Sequence, residues 1–246
     1  MYSDTLPGYT TIGKELTMTG IFLFDIDNTL LRNSRSHRQA FYEGFSTVFG
    51  VRGDVESINP HGMTDLQIAT EFLRQNGVDE KRIRLKLKEC MDVIARTFSE
   101  LVQREQLVVL DGVYELLEIL SSRTLLLGLV TGNLESIAWE KLHRTGLKPF
   151  FAFGGFGTDD FKRSRLVSIA IERARALQTE ISLENVYLVG DTPRDIQAGR
   201  EAGVHTIGVA TGIYSVEELG LHKPDAVLPS LKPSNGFIHI IDRLSQ

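Results

Sequence analysis

Asp25-Ile26-Asp27-Asn28-Thr29 sets two carboxylates two residues apart directly after a short apolar run, Ile21 to Phe24. Side chains alternate in an extended segment, so Asp25 and Asp27 are able to face one side of the loop that leaves the run. Two carboxylates held that close repel unless a cation or a proton compensates them. A second acidic loop, Gly190-Asp191-Thr192-Pro193-Arg194-Asp195, also follows an apolar run, Tyr187 to Val189. Pro193 suits the first turn of a helix and Gly203 its end, which puts Asp191 and Asp195 within one turn of each other. Each loop has a plainer reading, the first as an Asx-rich turn and the second as an acidic cap on a helix N-terminus. Neither accounts for four carboxylates at the ends of two strands. If all four share a cleft, an oxygen-seeking divalent cation such as Mg²⁺ compensates them, an ion that keeps waters and phosphate oxygens around it.

Two further segments offer groups for an anion. Thr131-Gly132-Asn133 supplies a hydroxyl, a backbone that a ligand is able to approach, and in Asn133 an N-cap for a helix through Leu142. Lys162-Arg163 supplies a cation for a phosphate oxygen or for the acidic cluster, and reads equally as a solvated basic pair.

The elements that must position these residues follow from hydrophobic patterning. Continuous apolar runs at 21–24, 125–130, 150–153, 186–189 and 206–209, with a weaker one at 226–228, predict buried parallel strands. Helical periods lie between them: Val113, Leu116, Leu117 and Leu120; Ile137, Ala138 and Leu142, closed by Gly146; Leu166, Ile169, Ala170, Ala174 and Leu177. The alternation predicts an α/β fold, a Rossmann-like parallel sheet with helices on both faces. Residues 33–109 interrupt it. Their apolar positions keep helical spacing, Thr64 and Gln67 form a capping-box pair, and Ile83 to Leu101 sustain about five turns. The expectation is an inserted all-helical cap domain (33–109) above the carboxyl ends of an α/β core domain (1–32 and 110–246), where open α/β sheets bind ligands.

Composition narrows the class. The 246 residues carry 27 Lys plus Arg against 32 Asp plus Glu, a net charge of −5. That balance gives no support for a nucleic-acid or anionic-membrane surface, while a small anionic substrate needs few positive groups. The single cysteine, Cys90, excludes a disulfide framework or a multi-cysteine metal site, and its helix neighbours Met91 and Ile94 place it in a core. Apolar runs reach about a third of the roughly 20 residues of a membrane span, and the N-terminal stretch lacks the charged-then-apolar pattern of a signal peptide. A cytoplasmic protein is expected.

The four segments together resemble the haloacid dehalogenase superfamily, subclass I, with its Asp-x-Asp-x-Thr/Val loop, Ser/Thr turn, Lys/Arg and Gly-Asp-x-x-x-Asp loop in this order. The third departs from the common Lys-Pro pattern: the segment reads Asp159-Asp160-Phe161-Lys162-Arg163-Ser164, so Arg163, or else Lys162, takes the cationic role. The resemblance implies Asp25 as nucleophile forming an aspartyl-phosphate, and Asp27 as general acid and then base. It implies Mg²⁺ held by Asp25, the Asp27 carbonyl and Asp191, with Asp195 acting through water or a neighbouring group. Phosphoryl oxygens would meet Thr131, Gly132, Asn133 and Arg163 or Lys162. An acid/base aspartate two residues after the nucleophile favours phosphoryl transfer over carbon–halogen cleavage.

Gly62-Met63-Thr64-Asp65 resembles the Gly-x-Thr-Asp of phosphoglycolate phosphatase-like members, in which the cap touches substrate. Thr64 and Asp65 are therefore candidate substrate contacts, as are Arg38 and His61 beside Arg32 and Arg35, which could meet a second anionic group. The expected activity is Mg²⁺-dependent hydrolysis of a small phosphorylated metabolite, a phosphomonoester. The alternatives are a sugar phosphomutase of the β-phosphoglucomutase type and a catalytically silent phosphate-binding module.

Overall fold

The structure is a computed structural model that describes residues 20–123, 125–177, 181–233 and 236–244. The reading of the N-terminus as leaderless, and the placing of 1–19 in the α/β core, fall outside the described residues.

A strand that carries apolar side chains on both faces belongs in the middle of a sheet, and β1 (Gly20–Phe24) is buried at every position. From it the chain enters three helices, α1 (Arg35–Phe49), α2 (Asp65–Gln75) and α3 (Glu80–Leu101), then α4 (Val113–Ser121) and β2 (Leu125–Thr131). There follow α5 (Glu135–Arg144), β3 (Phe153–Phe156), α6 (Arg163–Leu177), β4 (Val186–Gly190), α7 (Pro193–Ala202), β5 (His205–Val209), α8 (Val216–Leu221), β6 (Ala226–Leu228) and α9 (Phe237–Leu244). The six strands pair in parallel in the order β3-β2-β1-β4-β5-β6. The chain winds outward from β1 through β2 to β3 and then crosses to β4. The direction of winding therefore reverses between β1 and β4, the place where such sheets open a crevice at their carboxyl ends. Phe24 lies opposite both Leu129 and Val189, so β1, β2 and β4 end at one level and deliver Asp25, Thr131 and Asp191 to it.

Period-2 alternation separates two layers of core. Phe22 and Phe24 face Val113 and Leu116 of α4, Ala138 and Leu142 of α5, and Phe237 of α9. Ile21 and Leu23 face Leu166 and Ala170 of α6 and Ala198 of α7. Helices α1 to α3 build a third cluster of their own, with the Phe45 and Phe72 rings stacked 4.7 Å apart. Leu134 and Ile137 belong to that cluster too, so the helical layer rests on the start of α5. Cys90 is buried within it, and burial, with Glu89 adding, pushes its thiol up to about 12. The native protein at pH 8 is therefore expected to leave a disulfide reagent unreacted over an hour and to titrate one thiol once unfolded in guanidinium; fast native labelling would contradict this packing.

One strand lies elsewhere than expected. Residues 148–150 form a 3₁₀ turn, and the third strand is Phe153–Phe156 rather than 150–153. Its centre is Gly154-Gly155, which carries no apolar signal. A Cβ on Gly155 would lie 2.0 Å from the Leu166 carbonyl oxygen, so α6 crosses the strand at a distance only glycine permits. No helix among the described residues is long and apolar enough to cross a membrane.

Candidate active site

Asp25 extends the β1–β4 ladder by one bond, its N–H donating to the Val189 carbonyl at 2.9 Å. The next residues turn sharply: the Leu30 and Leu31 N–H groups both donate to the Ile26 carbonyl at 2.9 Å, and Asn28 takes a left-handed φ of 58°. Ile26, Leu30 and Leu31 are fully buried in the core, which anchors the loop and leaves Asp25 and Asp27 lining a cavity of about 250 Å³ under the helical layer. Asn28, Gly132, Arg163 and Asp191 line it as well.

The second acidic loop is built by helix capping. Thr192 is the N-cap of α7 and Pro193 its first residue, with Gly203 in left-handed conformation at the other end. The Asp195 carboxylate closes the capping box, accepting from the Thr192 N–H at 3.1 Å and its hydroxyl at 2.6 Å through Oδ2. Oδ1 of Asp195 accepts from Arg163 Nε at 2.8 Å and pairs with Nη2 at 2.6 Å. The same Nη2 lies 2.9 Å from Asp25 Oδ1. Asp25, Asp191 and Asp195 each place a carboxylate oxygen within 4.8 Å of the others. Both oxygens of Asp195 are already engaged, which suits an indirect part, whereas Asp25 and Asp191 keep free oxygen lone pairs.

Of these three buried carboxylates, Asp25 and Asp195 pair with the Arg163 guanidinium and Asp191 does not. Burial raises Asp191 to about 9, with the charges of Asp195 and Asp25 adding to it against Arg163. Burial likewise raises Asp25 to about 7, with Arg163 opposing and Asp195 and Asp27 reinforcing. Arg163 is held firmly protonated, since the two carboxylates outweigh its burial. Hard oxygen donors that otherwise hold on to protons fit a small divalent cation of the Mg²⁺ type.

Asp27 has the opposite environment. Burial works to raise it, but the Lys141 charge and hydrogen bonds from Lys141 and Asn133 outweigh that and hold it below the usual carboxylate range. Lys141 Nζ lies 2.8 and 2.6 Å from the two Asp27 oxygens, 2.6 Å from Asn133 Oδ1 and 3.2 Å from His37 Nδ1. Asn133 Nδ2 donates to Asp27 Oδ2 at 2.7 Å and to the Thr131 hydroxyl at 2.8 Å. Sequence patterning passed over both Lys141 and His37. A signal existed: Lys141 stands four residues after Ile137 and three after Ala138, and His37 three before Ala40 and four before Phe41, so each is a polar residue on an apolar helix face.

Several expected contacts are placed differently. Asn133 does not cap α5; Leu134 holds that position without a side-chain bond, because the Asn133 amide is turned inward to Asp27. Across the seam between layers Asp65 Oδ2 accepts from the Leu134 N–H at 2.7 Å, while Thr158 Oγ1 accepts from the first N–H of α5, that of Glu135, at 2.9 Å. Thr64 is fully buried and committed to the capping box of α2 with Gln67, so it cannot also touch a ligand. Asp65 lines the cavity, 3.2 Å from His37 Nε2 at an angle poor for a hydrogen bond. Lys162 points outward, 65% exposed and paired with Glu201 at 2.9 Å, because α6 starts at Arg163 and turns that residue inward instead. The close approach at Gly132 is made by the helical layer: a Cβ there would meet the Met63 carbonyl oxygen at 2.2 Å, and the Asp65 N–H donates to the Gly132 carbonyl at 2.8 Å. Thr131 is buried and hydrogen-bonded to Asn133, while Arg38 and His61 line the cavity, His61 near Glu56 at 3.6 Å.

The chain is similar to known proteins over most of its length. A pyrophosphatase PpaX from Listeria welshimeri is 26% identical over 218 residues, 87% of this chain and 95% of that protein. The crystal structure of CbbY from Rhodobacter sphaeroides in complex with phosphate superposes with a TM-score of 0.72 at 18% identity, covering 87% of this chain and 95% of that one. A hydrolase from Pseudomonas syringae gives 0.70 at 19% identity, over 91% and 98% of the two chains. The family model of haloacid dehalogenase-like hydrolases matches residues 22–209, a span that takes in the sheet from β1 to β5, the helical insertion and all four sequence segments. On that match the chain belongs to the haloacid dehalogenase-like hydrolase family.

Proposed function

We propose that the protein is a Mg²⁺-dependent phosphatase of the cytoplasm that hydrolyses a small phosphorylated metabolite, with residues 33–109 forming a cap over the α/β core. The observation that carries this reading is Asp25 at the switch point of the sheet, 2.9 Å from Arg163 and within reach of Asp191, in a cavity of about 250 Å³. Asp25 attacks phosphorus, forming a carboxylate O–P bond as the ester P–O bond breaks. Asp27 gives its proton to the departing oxygen and then takes one from the water that attacks the phosphorus, which frees phosphate and restores both aspartates. The free protein keeps Asp27 ionised; a phosphate dianion arriving beside Asp25 adds negative charge next to it, and Asp27 takes up a proton from solvent before the ester bond breaks. Arg163 aims Asp25 and Asp195, and Gly132 and Asn133 on the cavity wall face the phosphoryl oxygens. Asp25, Asp191 and the Asp27 carbonyl would hold Mg²⁺, which neutralises charge on the transferring group.

Arg35 and Arg38 also line the cavity, and neither guanidinium has a carboxylate partner among the described residues. A substrate with a second anionic group suits them, either a phosphorylated small acid or pyrophosphate, the latter favoured by the activity named for the Listeria relative. The test is phosphate release with Mg²⁺ from 2-phosphoglycolate, sugar phosphates, nucleoside monophosphates and pyrophosphate. Substrates with a second anionic group are expected to show a kcat/KM at least about tenfold above a sugar phosphate whose sugar carries no further charge. Isomer interconversion of a sugar phosphate without phosphate release would assign a mutase instead, and no turnover on any compound would leave a binding module.

A further inference from the structure

We propose that Lys141 is a positioning residue for Asp27, and that His37 and Asp65 brace it from the helical layer, so that the acid/base group is aimed only when the two layers are seated together. This rests on Asp27 having the acid/base role given above.

The geometry is closed in a way that an incidental ion pair is not. An ammonium has three N–H donors and no acceptor. Lys141, 1% exposed, meets three acceptors: the Asp27 carboxylate, Asn133 Oδ1 and His37 Nδ1. On its other edge the His37 ring sets Nε2 3.2 Å from Asp65 Oδ2, a packing contact whose angle is poor for a hydrogen bond. Asp65 in turn accepts from the Leu134 N–H at the head of the helix that carries Lys141. The chain Asp27, Lys141, His37, Asp65, Leu134 therefore crosses from core to helical layer and returns. A buried lysine without partners is costly, so burial fixes this one where its acceptors are. Lys141 and Asn133 hold both Asp27 oxygens from behind, and the carboxylate keeps only its 21% exposed edge toward the cavity.

A packing role and a positioning role differ in their dependence on the leaving group. p-Nitrophenolate departs without a proton, whereas the alkoxide of 2-phosphoglycolate needs one. The variants Asp27→Asn, Lys141→Met and His37→Gln would be compared with the unmodified protein on both substrates under saturating Mg²⁺. In Lys141→Met, kcat/KM for 2-phosphoglycolate is expected to fall about 100-fold, within the range general acid catalysis supplies, and that for p-nitrophenyl phosphate by no more than about threefold. Because the base is also misaimed, p-nitrophenolate should appear as a burst of about one per active site before a slow steady state. His37→Gln, which does not touch Asp27, should give the same selectivity at about tenfold, and decides the matter if Lys141→Met does not fold.

Equal losses on the two substrates, or none, in the folded variants overturn the positioning role while Asp27→Asn stays selective. If Asp27→Asn itself shows no selectivity, the acid/base assignment falls and this inference with it. Inertness of the unmodified protein on both compounds removes the phosphatase reading as a whole.

Discussion

Replacing Asp25 by asparagine is expected to lower phosphate release by roughly 10⁴-fold or more, the scale seen when a nucleophile that acts with its partners as a unit is removed. Asparagine keeps the shape of the side chain and a carbonyl oxygen able to accept from Arg163 Nη2, which sits 2.9 Å from Asp25 Oδ1, so the fold should survive. It removes the charge and the atom that bonds to phosphorus. The sharpest readout is the covalent species: ³²P from a labelled substrate should remain with acid-quenched unmodified protein and be absent from Asp25→Asn. The variant also loses one of three mutually repelling carboxylates around a single guanidinium. Its melting temperature without metal should therefore equal or exceed that of the unmodified protein at pH 8. Turnover retained within tenfold would show that the nucleophile is elsewhere.

The parts of this site legible in the sequence are those governed by local chemistry. Asp25 and Asp191 follow apolar runs, and a buried strand ends where polar residues begin. Pro193, Gly203 and the Thr64–Gln67 pair lie where backbone geometry at helix ends demands them, and such demands reach only three or four residues along the chain. The third strand escaped because its buried centre is glycine, chosen for a contact with α6 that lies outside the strand's own sequence. Asn133 misled for a related reason. Its type suits an N-cap, but a stronger claim on its amide comes from Asp27, 106 residues away. Lys141 was hidden by its chemistry: a lysine within an amphipathic helix is normally solvated, and only its three partners, from three other segments, make its burial tolerable. The choice between Lys162 and Arg163 turned on where α6 begins, a matter of a single residue and about 100° of helix rotation.

The same charge imbalance predicts how metal, pH and stability are linked. Without metal, Asp25 and Asp191 keep their protons to about pH 7 and about pH 9, against 3.8 for an unhindered aspartate. The folded protein thus binds more protons than the unfolded chain between those values, and its stability from these two groups is full below about pH 4 and is lost as pH rises toward 9. A divalent cation competes for the same oxygens and must displace the protons. Its affinity should climb about tenfold per pH unit between 7 and 9, where Asp191 alone titrates, and more steeply below 7, where Asp25 must also ionise. Between pH 6 and pH 8 the Mg²⁺ dissociation constant is expected to fall at least about 100-fold. Thermal unfolding with EDTA and with 5 mM Mg²⁺ should accordingly diverge as pH rises, the metal-free curve moving down and the metal-bound curve holding. Asp191→Asn should lift the EDTA melting temperature at pH 8 and abolish the Mg²⁺ shift. An equal Mg²⁺ shift at pH 5 and pH 8, or one that survives in Asp191→Asn, would place the cation away from these carboxylates.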